Sequence, residues 1–346
     1  MKTVCVIGHF GFGKILLNGQ TIKTKIVADE IEKYVGKNEI ARIDTHGGIF
    51  ALIKLPLFLL YSIVFYENIV FLPAHNGLKI IVPFLVVLNS FFRRKLHYVV
   101  VGGWLPDFLN NKKFLSKLLK KVDCIYVETK LMKSRLFSEG FNNVLVMPNF
   151  KNLKILEEYE LPDPHDDVFK LCTFSRVMKE KGIEDAIESV KCINKKYGNK
   201  VCSLDIYGQV DNGQSEWFEN LKKTFPENIR YNGCVAFDQS VETLAKYDML
   251  LFPTYYEGEG FAGTLIDAFA AGLPVIASDW HYNAEIVDEN INGFVIPAKN
   301  VDVLERKIDW CVKNKNIVYE MKKNCLAKAR FLSPENIVCQ LTSLLV

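Results

Sequence analysis

The sequence predicts an α/β protein made of two doubly wound, Rossmann-like domains. Strand-like runs alternate with helix-like runs at a spacing that implies parallel sheets covered by helices. The alternation occurs twice, in two series separated by Leu161-Pro162-Asp163-Pro164-His165-Asp166-Asp167, whose prolines and acids mark a linker. At 346 residues, with 49% hydrophobic and 24% charged residues, the chain is large and apolar enough for two cores.

The first series, over 1–160, reads as strands at Thr3–Ile7, Glu39–Asp44, Ile69–Leu72, Tyr98–Val101, Cys124–Val127 and Val144–Met147. Helices lie between them, Gly19–Tyr34 and Lys130–Glu139 among others. The second series, over 168–330, reads as strands at Lys170–Phe174, Cys202–Tyr207, Ile229–Tyr231, Met249–Phe252, Val275–Ala277 and Phe294–Ile296. Its helices include Gly182–Lys196, Glu216–Thr224, Val241–Lys246 and Thr264–Ala271. A last helical stretch, Pro334–Leu345 within 333–346, lies beyond the second domain and is expected to pack back on the first. In such sheets ligands bind beyond the carboxyl ends of the strands, so two domains set face to face would form a cleft.

The loop after the first strand, Gly8 to Gly19, has the spacing Gly8-x4-Gly13-Lys14 of a phosphate-binding loop. That motif needs Ser or Thr after its lysine for Mg²⁺ and a helix starting there. Here Ile15 follows Lys14, and Asn18-Gly19 interrupts any immediate helix. The dinucleotide fingerprint also fails, because Leu16 stands where its third glycine belongs. What remains is a glycine-rich loop at a strand end.

Charge and composition narrow the class further. Residues 1–160 hold 22 Lys/Arg against 13 Asp/Glu, a net +9, whereas the remainder holds 21 against 27, a net −6. Between Arg93 and Lys121 there are eight basic residues and one acid, Asp107. Two charge-free runs, Leu55–Tyr66 and Ile80–Phe92, sit in the same half and fall short of the roughly 20 residues of a spanning helix. Apolar residues beside cations fit a surface resting on an anionic bilayer, with a solvated lysine face as the plainer alternative. The nine scattered cysteines have no metal-ligand spacing and suggest reduced thiols; the N-terminus reads directly as a strand, with no signal peptide. Nothing in this pattern points to nucleic acid.

The densest stretch runs from Pro253 to Ala277: a strand end, a glycine-rich turn carrying Glu257 and Glu259, and a helix opening near Thr264 and stopping at Gly272. Amides over Phe261–Thr264 with the helix N-terminus make an anion site. Asp267, three residues after Thr264, also suits a capping box. This stretch resembles the E-x(7)-E signature of the family-four retaining GT-B glycosyltransferases that build bacterial surface polysaccharides, here as Glu259-x(7)-Asp267. Phe174-Ser175-Arg176 with Lys181-Gly182, Tyr207-Gly208-Gln209, Tyr231-Asn232-Gly233-Cys234 and Asn292-Gly293-Phe294-Val295 fall where that family places its other motifs. The resemblance spans the whole chain but is specific only from about Leu171 to Pro297.

The resemblance implies a GT-B fold and transfer of a hexose-type sugar from a nucleotide diphosphate sugar, a UDP sugar being favoured. Arg176 and Lys181 would stabilise the leaving diphosphate, and Glu259 would support the sugar. Asp267 would hold the ribose, with Gly208, Gly233, Val235 and the run Gly260-Phe261-Ala262-Gly263-Thr264 completing the donor site. Gly19 would let the first-domain loop approach the phosphates. No metal is implied, since two cations replace Mg²⁺, and no cofactor besides the donor. The acceptor would be a glycan or polyprenyl-linked sugar, placing the protein in the cytoplasm on the inner face of the plasma membrane. Two departures stand out: Asp267 replaces the usual Glu, and Gly102-Gly103-Trp104 occupies the place of the family's donor-facing histidine. His46, His75, Gly103 and Trp104 are therefore the acceptor-side candidates. A non-catalytic GT-B partner subunit and a sugar-nucleotide hydrolase or epimerase are the alternative readings.

Overall fold

The computed structural model describes the chain except Ile15, Leu17, residues 163–166 and Val346, and the side chains of 49–52; most of the linker segment thus lies outside the described residues. The chain forms two compact units, Met1–Asn152 with Ser333–Val346, and Leu153–Leu332. Residues 153–160 go with the second unit, ahead of the boundary expected near 160. The cause is local: Leu156 N–H donates to Ala270 O at 3.0 Å, and Arg330 pairs with Glu157 at 2.9 Å.

The first unit runs β1 (Lys2–Gly8), α1 (Gly19–Val35), β2 (Ile40–Asp44), α2 (Gly48–Phe65), β3 (Tyr66–Phe71), α3 (His75–Phe92) and β4 (Lys95–Val99). It continues with α4 (Leu105–Leu109), α5 (Lys113–Leu119), β5 (Cys124–Val127), α6 (Lys130–Ser138) and β6 (Val144–Val146). All pairings are parallel, in the order β2-β1-β3-β4-β5-β6. β1 and β5 sit inside the sheet and read as continuous apolar runs, as strands buried on both faces must.

Two strands begin three residues before the sequence expectation. β3 begins at Tyr66 rather than Ile69 because Asn68, polar in sequence, is 2% exposed and donates from Nδ2 to Thr3 O and Leu345 O, both at 3.0 Å. β4 spans Lys95–Val99 rather than Tyr98–Val101, and includes the buried His97, whose ring meets Tyr126 Oη at 3.2 Å. A buried polar side chain is tolerable when hydrogen-bonded, and a sequence pattern cannot show the partner.

The apolar runs are also longer as helices than as sequence runs. α2 and α3 each have 18 residues, and α3 is long and apolar enough to cross a membrane by length and composition. Only 28% of that stretch is buried. It is the crossover between the paired parallel strands β3 and β4, and buries Leu78, Ile81, Val82, Leu85 and Val86.

The second unit runs β7 (Phe169–Phe174), α7 (Ile183–Tyr197), β8 (Cys202–Tyr207), α8 (Ser215–Lys222), β9 (Ile229–Gly233), α9 (Ser240–Leu244) and β10 (Met249–Phe252). After these come α10 (Gly263–Ala270), β11 (Val275–Ser278), α11 (Asn283–Ile286), β12 (Gly293–Ile296), α12 (Val301–Lys313) and α13 (Lys315–Phe331). The sheet order is β12-β11-β10-β7-β8-β9, again parallel. α7 and α12 pack together over a core that includes Leu171, Val190, Leu204, Leu251 and Ile308. The last helix, α14 (Pro334–Thr342), opens with Ser333 accepting from Asn336 N and packs on α1 of the first unit. Among the described residues the nine cysteines are all free thiols.

Candidate active site

In the second sheet the chain leaves β7 and β10 in opposite directions, β8 and β9 lying beyond one and β11 and β12 beyond the other. That point is where a doubly wound sheet opens a crevice for its ligand. The loop after β7 carries Arg176 and Lys181; the loop after β10 carries Thr254 to Ala262. Two glycines allow these loops to meet their neighbours. Gly182 has φ +69°, and a Cβ there would lie 2.2 Å from Pro253 O. Gly208, at φ +135°, would place a Cβ 1.8 Å from Ser175 O. Any side chain at either position would collide with backbone.

This approach joins two residues 78 apart in sequence. Lys181 Nζ lies 2.5 Å from Glu259 Oε2, with side chains 11% and 9% exposed. Thr254 Oγ1 donates to the same carboxylate oxygen at 2.9 Å, and the ammonium stands 4.9 Å from the Tyr256 ring centroid. Buried charges persist only when paired and hydrogen-bonded, which this arrangement achieves. The sequence assigned Lys181 to phosphate and Glu259 to sugar separately; the structure makes them one ion pair. Arg176 is elsewhere in the loop, 58% exposed, with Nη1 3.6 Å from Asp211 Oδ2. Asp211 and Thr254 were missed. The Arg176–Asp211 contact spans 35 residues, and Thr254 meets Glu259 across the turn after β10; only the Lys181-Gly182 and Tyr207-Gly208 motifs hinted at the meeting of loops.

The remaining donor-side candidates line the same strand ends. Asp267 is 3% exposed and accepts from Ser240 Oγ at 3.1 Å. Thr264 is inside α10, and its hydroxyl donates to Phe174 O at 2.8 Å, so no capping box with Asp267 forms. Among the described residues no side chain caps α10, whose first amides follow the buried Phe261 and Ala262 and the half-buried Gly260 and Gly263. Gly233, at φ +74°, ends β9; its carbonyl accepts from Gly208 N at 2.8 Å, and Val235 lies half-buried just beyond.

In the first unit the switch point falls between β1 and β3. The loop after β1 is pinned by Asp44 at the end of β2, which accepts from Phe10 N and His46 N through Oδ1 and from Phe12 N through Oδ2. Partial burial works to raise the Asp44 carboxyl, but these amides hold it below its usual range. His46 does not stand alone. Its Nδ1 is 2.9 Å from His9 Nε2, His9 Nδ1 is 2.7 Å from Thr21 Oγ1, and Lys14 Nζ is 3.3 Å from His46 Nε2. α1 starts at Gly19 with Asn18 as cap, five residues past Lys14, so no phosphate-binding-loop geometry follows the lysine. A Cβ at Gly19 would meet open space.

His75 and Trp104 come together at the ends of β3 and β4. Their ring centroids are 3.9 Å apart, and both lie 5.1 Å from the Phe108 ring. Trp104 Nε1 donates to Val101 O at 2.8 Å, which fixes the indole across the Gly102-Gly103 turn.

Residues 161–330 match the family model described as glycosyl transferases group 1. The second unit belongs to that family. An uncharacterized glycosyltransferase of Methanocaldococcus jannaschii is 24% identical over 243 residues, 67% of this chain and 57% of its own length. The Campylobacter jejuni N,N'-diacetylbacillosaminyl-diphospho-undecaprenol alpha-1,3-N-acetylgalactosaminyltransferase is 26% identical over 222 residues, 64% of this chain and 50% of its own. The chain thus spans about half the length of the curated relatives it matches. The crystal structure of Anabaena HepE in complex with UDP has a TM-score of 0.71 at 15% identity, covering 100% of this chain and 99% of that one. The glycosyl transferases group 1 domain and its companion unit have the GT-B fold.

Proposed function

We propose that the protein is a retaining glycosyltransferase that moves a hexose-type sugar from a nucleotide diphosphate sugar, a UDP sugar first, to a lipid-linked or glycan acceptor in surface polysaccharide or glycoconjugate synthesis. The observation that carries this is the buried Lys181–Glu259 pair at the β7–β10 switch point, beside the N-terminus of α10. The reaction breaks the bond between the anomeric carbon and the diphosphate oxygen and forms one from that carbon to an acceptor hydroxyl. The hydroxyl proton leaves with the diphosphate. Negative charge grows on the leaving group, and preorganised cations and amides facing it lower the barrier. Lys181, held by Glu259, and Arg176, at the crevice mouth, supply the cations; α10 supplies the amides. In this reading Asp267 holds the ribose and Glu259 the sugar. With two cations in these roles the reaction runs without a divalent metal.

HepE, bound to UDP in its crystal structure, supports the choice of donor. The diphospho-undecaprenol in the Campylobacter relative's name supports a lipid-linked acceptor. The basic first unit and the exposed apolar side chains of α2 and α3, Leu57 at 70% and Phe91 at 80% among them, support work at the anionic inner face of a membrane. The decisive experiment is transfer of labelled sugar from UDP donors to a diphosphate-linked lipid acceptor. Arg176→Ala and Lys181→Ala should each cost on the order of 10²–10³ in kcat/KM, and EDTA should leave the rate unchanged. Near-wild-type turnover in either variant would remove the leaving-group role; strict Mg²⁺ dependence would overturn the two-cation reading.

A further inference from the structure

We infer that the groove between α3 and α5 in the first unit binds the diphosphate and hydrocarbon chain of a lipid-linked acceptor, with the Trp104–His75–Phe108 cluster stacking on its sugar. The inference deepens the proposed transferase function and rests on its acceptor being lipid-linked.

The groove has a volume of about 330 Å³ and is lined by Lys79, Pro83, Lys112, Phe114 and Leu115. Its chemistry is divided along its length. Lys79 and Lys112 stand at the end nearest the aromatic cluster, their ammonium groups 5.7 and 4.0 Å from the Phe108 ring centroid. Lys112 Nζ also donates to Phe108 O at 2.9 Å and Lys79 Nζ to Asn76 Oδ1 at 3.4 Å. An ammonium has three N–H groups, so these bonds fix the cations without saturating them. Asp107, the one acid between Arg93 and Lys121, pairs with Arg135 and so does not neutralise them.

Past the lysines the surface is apolar. Pro83 follows Lys79 by four residues on α3, and Val87 and Phe91 continue the same ridge at 60% and 80% exposure. From Lys79 to Phe91 a helix advances about 18 Å at ~1.5 Å per residue, enough for several isoprene units of an extended chain. Phe114 faces the groove at 69% exposure. An exposed apolar strip of this kind on a soluble surface marks an interaction site.

At the other end, Trp104 and His75 lie 30° from parallel and Phe108 meets both edge-on, a compact aromatic group at the strand ends. Partial burial, then the charges of Lys79 and Lys112, hold the His75 imidazole below its ordinary range. It is therefore neutral near pH 7 and adds to an uncharged stacking face. Sugar platform, two cations and hydrocarbon track succeed one another in the order in which a glycosyl diphosphate lipid presents its parts. A bilayer headgroup layer needs no such order, and free pyrophosphate has no use for the track.

The test is binding of farnesyl diphosphate to the full chain, read from intrinsic fluorescence. Trp104 is the one tryptophan of the first unit, the other three being Trp217, Trp280 and Trp310. Farnesyl diphosphate should bind at least tenfold more tightly than either farnesol or inorganic pyrophosphate. Phe114→Ser and Lys112→Gln should each weaken it at least tenfold, and Trp104→Phe should abolish the signal change. Equal binding of pyrophosphate would reduce the groove to an anion site. Equal binding of farnesol, or affinity unchanged in Phe114→Ser, would also overturn the assignment. UDP binding measured on the same preparation separates the two claims. Protein that takes UDP but not farnesyl diphosphate loses the groove and keeps the donor site; the reverse result removes the donor reading instead.

Discussion

The chain of side chains from Lys14 to Asn18 admits one assignment of protons. Asn18 Oδ1 accepts from Thr21 N at 3.0 Å and from the Thr21 hydroxyl at 3.1 Å, so the Thr21 proton is committed. Thr21 Oγ1 must then accept from His9 Nδ1–H, and His9 Nε2 from His46 Nδ1–H. His46 Nε2 is left to accept from the Lys14 ammonium. Both rings then carry a proton on Nδ1, the tautomer being set by the bond each nitrogen makes. Burial first, then the neighbouring His46, lower the affinity of His9 for a proton, while Asp44 opposes them. Because the folded pKa lies below the ordinary 6.5, the linkage is intact above that value and weakens as pH falls. Protonating His9 sets its Nε2–H against His46 Nδ1–H and breaks that contact, while Asp44 still holds the Phe10 and Phe12 amides. Nitrogen shifts from ¹⁵N-labelled protein at pH 7.5 should show the Nδ1–H form for His9 and His46. An Nε2–H form at either would contradict the chain. His46 was recognisable in the sequence as a strand-end candidate, whereas His9 was not, because its partner lies 37 residues away and no local pattern records that contact.

At the scale of elements, the loop after β7 takes its shape from the glycine that ends it. Gly182 both closes a 3₁₀ turn, with its amide donating to Lys179 O, and precedes α7 in the left-handed region. Gly182→Ala should cost about 1–3 kcal/mol for the conformation alone, with more from the 2.2 Å approach to Pro253 O. The substitution moves Lys181 away from Glu259, so donor KM should rise along with the loss of thermal stability. A variant that melts earlier yet binds UDP unchanged would show that the ion pair tolerates the shift. The strands of the second sheet were legible almost residue for residue, since β8 and β10 alternate or run apolar between clear breakers. In the first sheet β3 and β4 were placed late because Asn68 and His97 look like loop residues until their partners are known. Glycine motifs marked the donor-side loops, but the pairing of Lys181 with Glu259 depends on two chain segments whose meeting is a property of the sheet order. The aromatic cluster was legible only as single residues, because Phe108 carried no signal beyond a short helix.

On the scale of the whole molecule, the two units differ in charge. The first, residues 1–152 and 333–346, holds 21 Lys/Arg against 11 Asp/Glu, and the second holds 22 against 29. The positive unit is also the one with exposed apolar helices: Ile53, Leu57 and Phe65 on α2, Val87 and Phe91 on α3, and Phe114 on α5. Not every lysine in the basic segment is available to a surface. Lys120, though exposed, is held by its bond to Glu139 O at 2.6 Å and by the Phe141 ring; Lys113, Lys117 and Lys121 are exposed too. Each exposed cation near an anionic bilayer is worth about 1 kcal/mol, so the triple change of Lys113, Lys117 and Lys121 to Gln should weaken vesicle binding roughly a hundredfold. Wild-type protein should float with phosphatidylglycerol vesicles at low salt and be released near 1 M, where screening contracts to about 3 Å. Phe91→Ser should weaken flotation at every salt concentration at which the wild type still floats, because hydrocarbon contact is not screened. Recovery in the soluble fraction with anionic and neutral vesicles alike would mean that the lysines are a solvated face and that α2 and α3 expose their side chains to another partner.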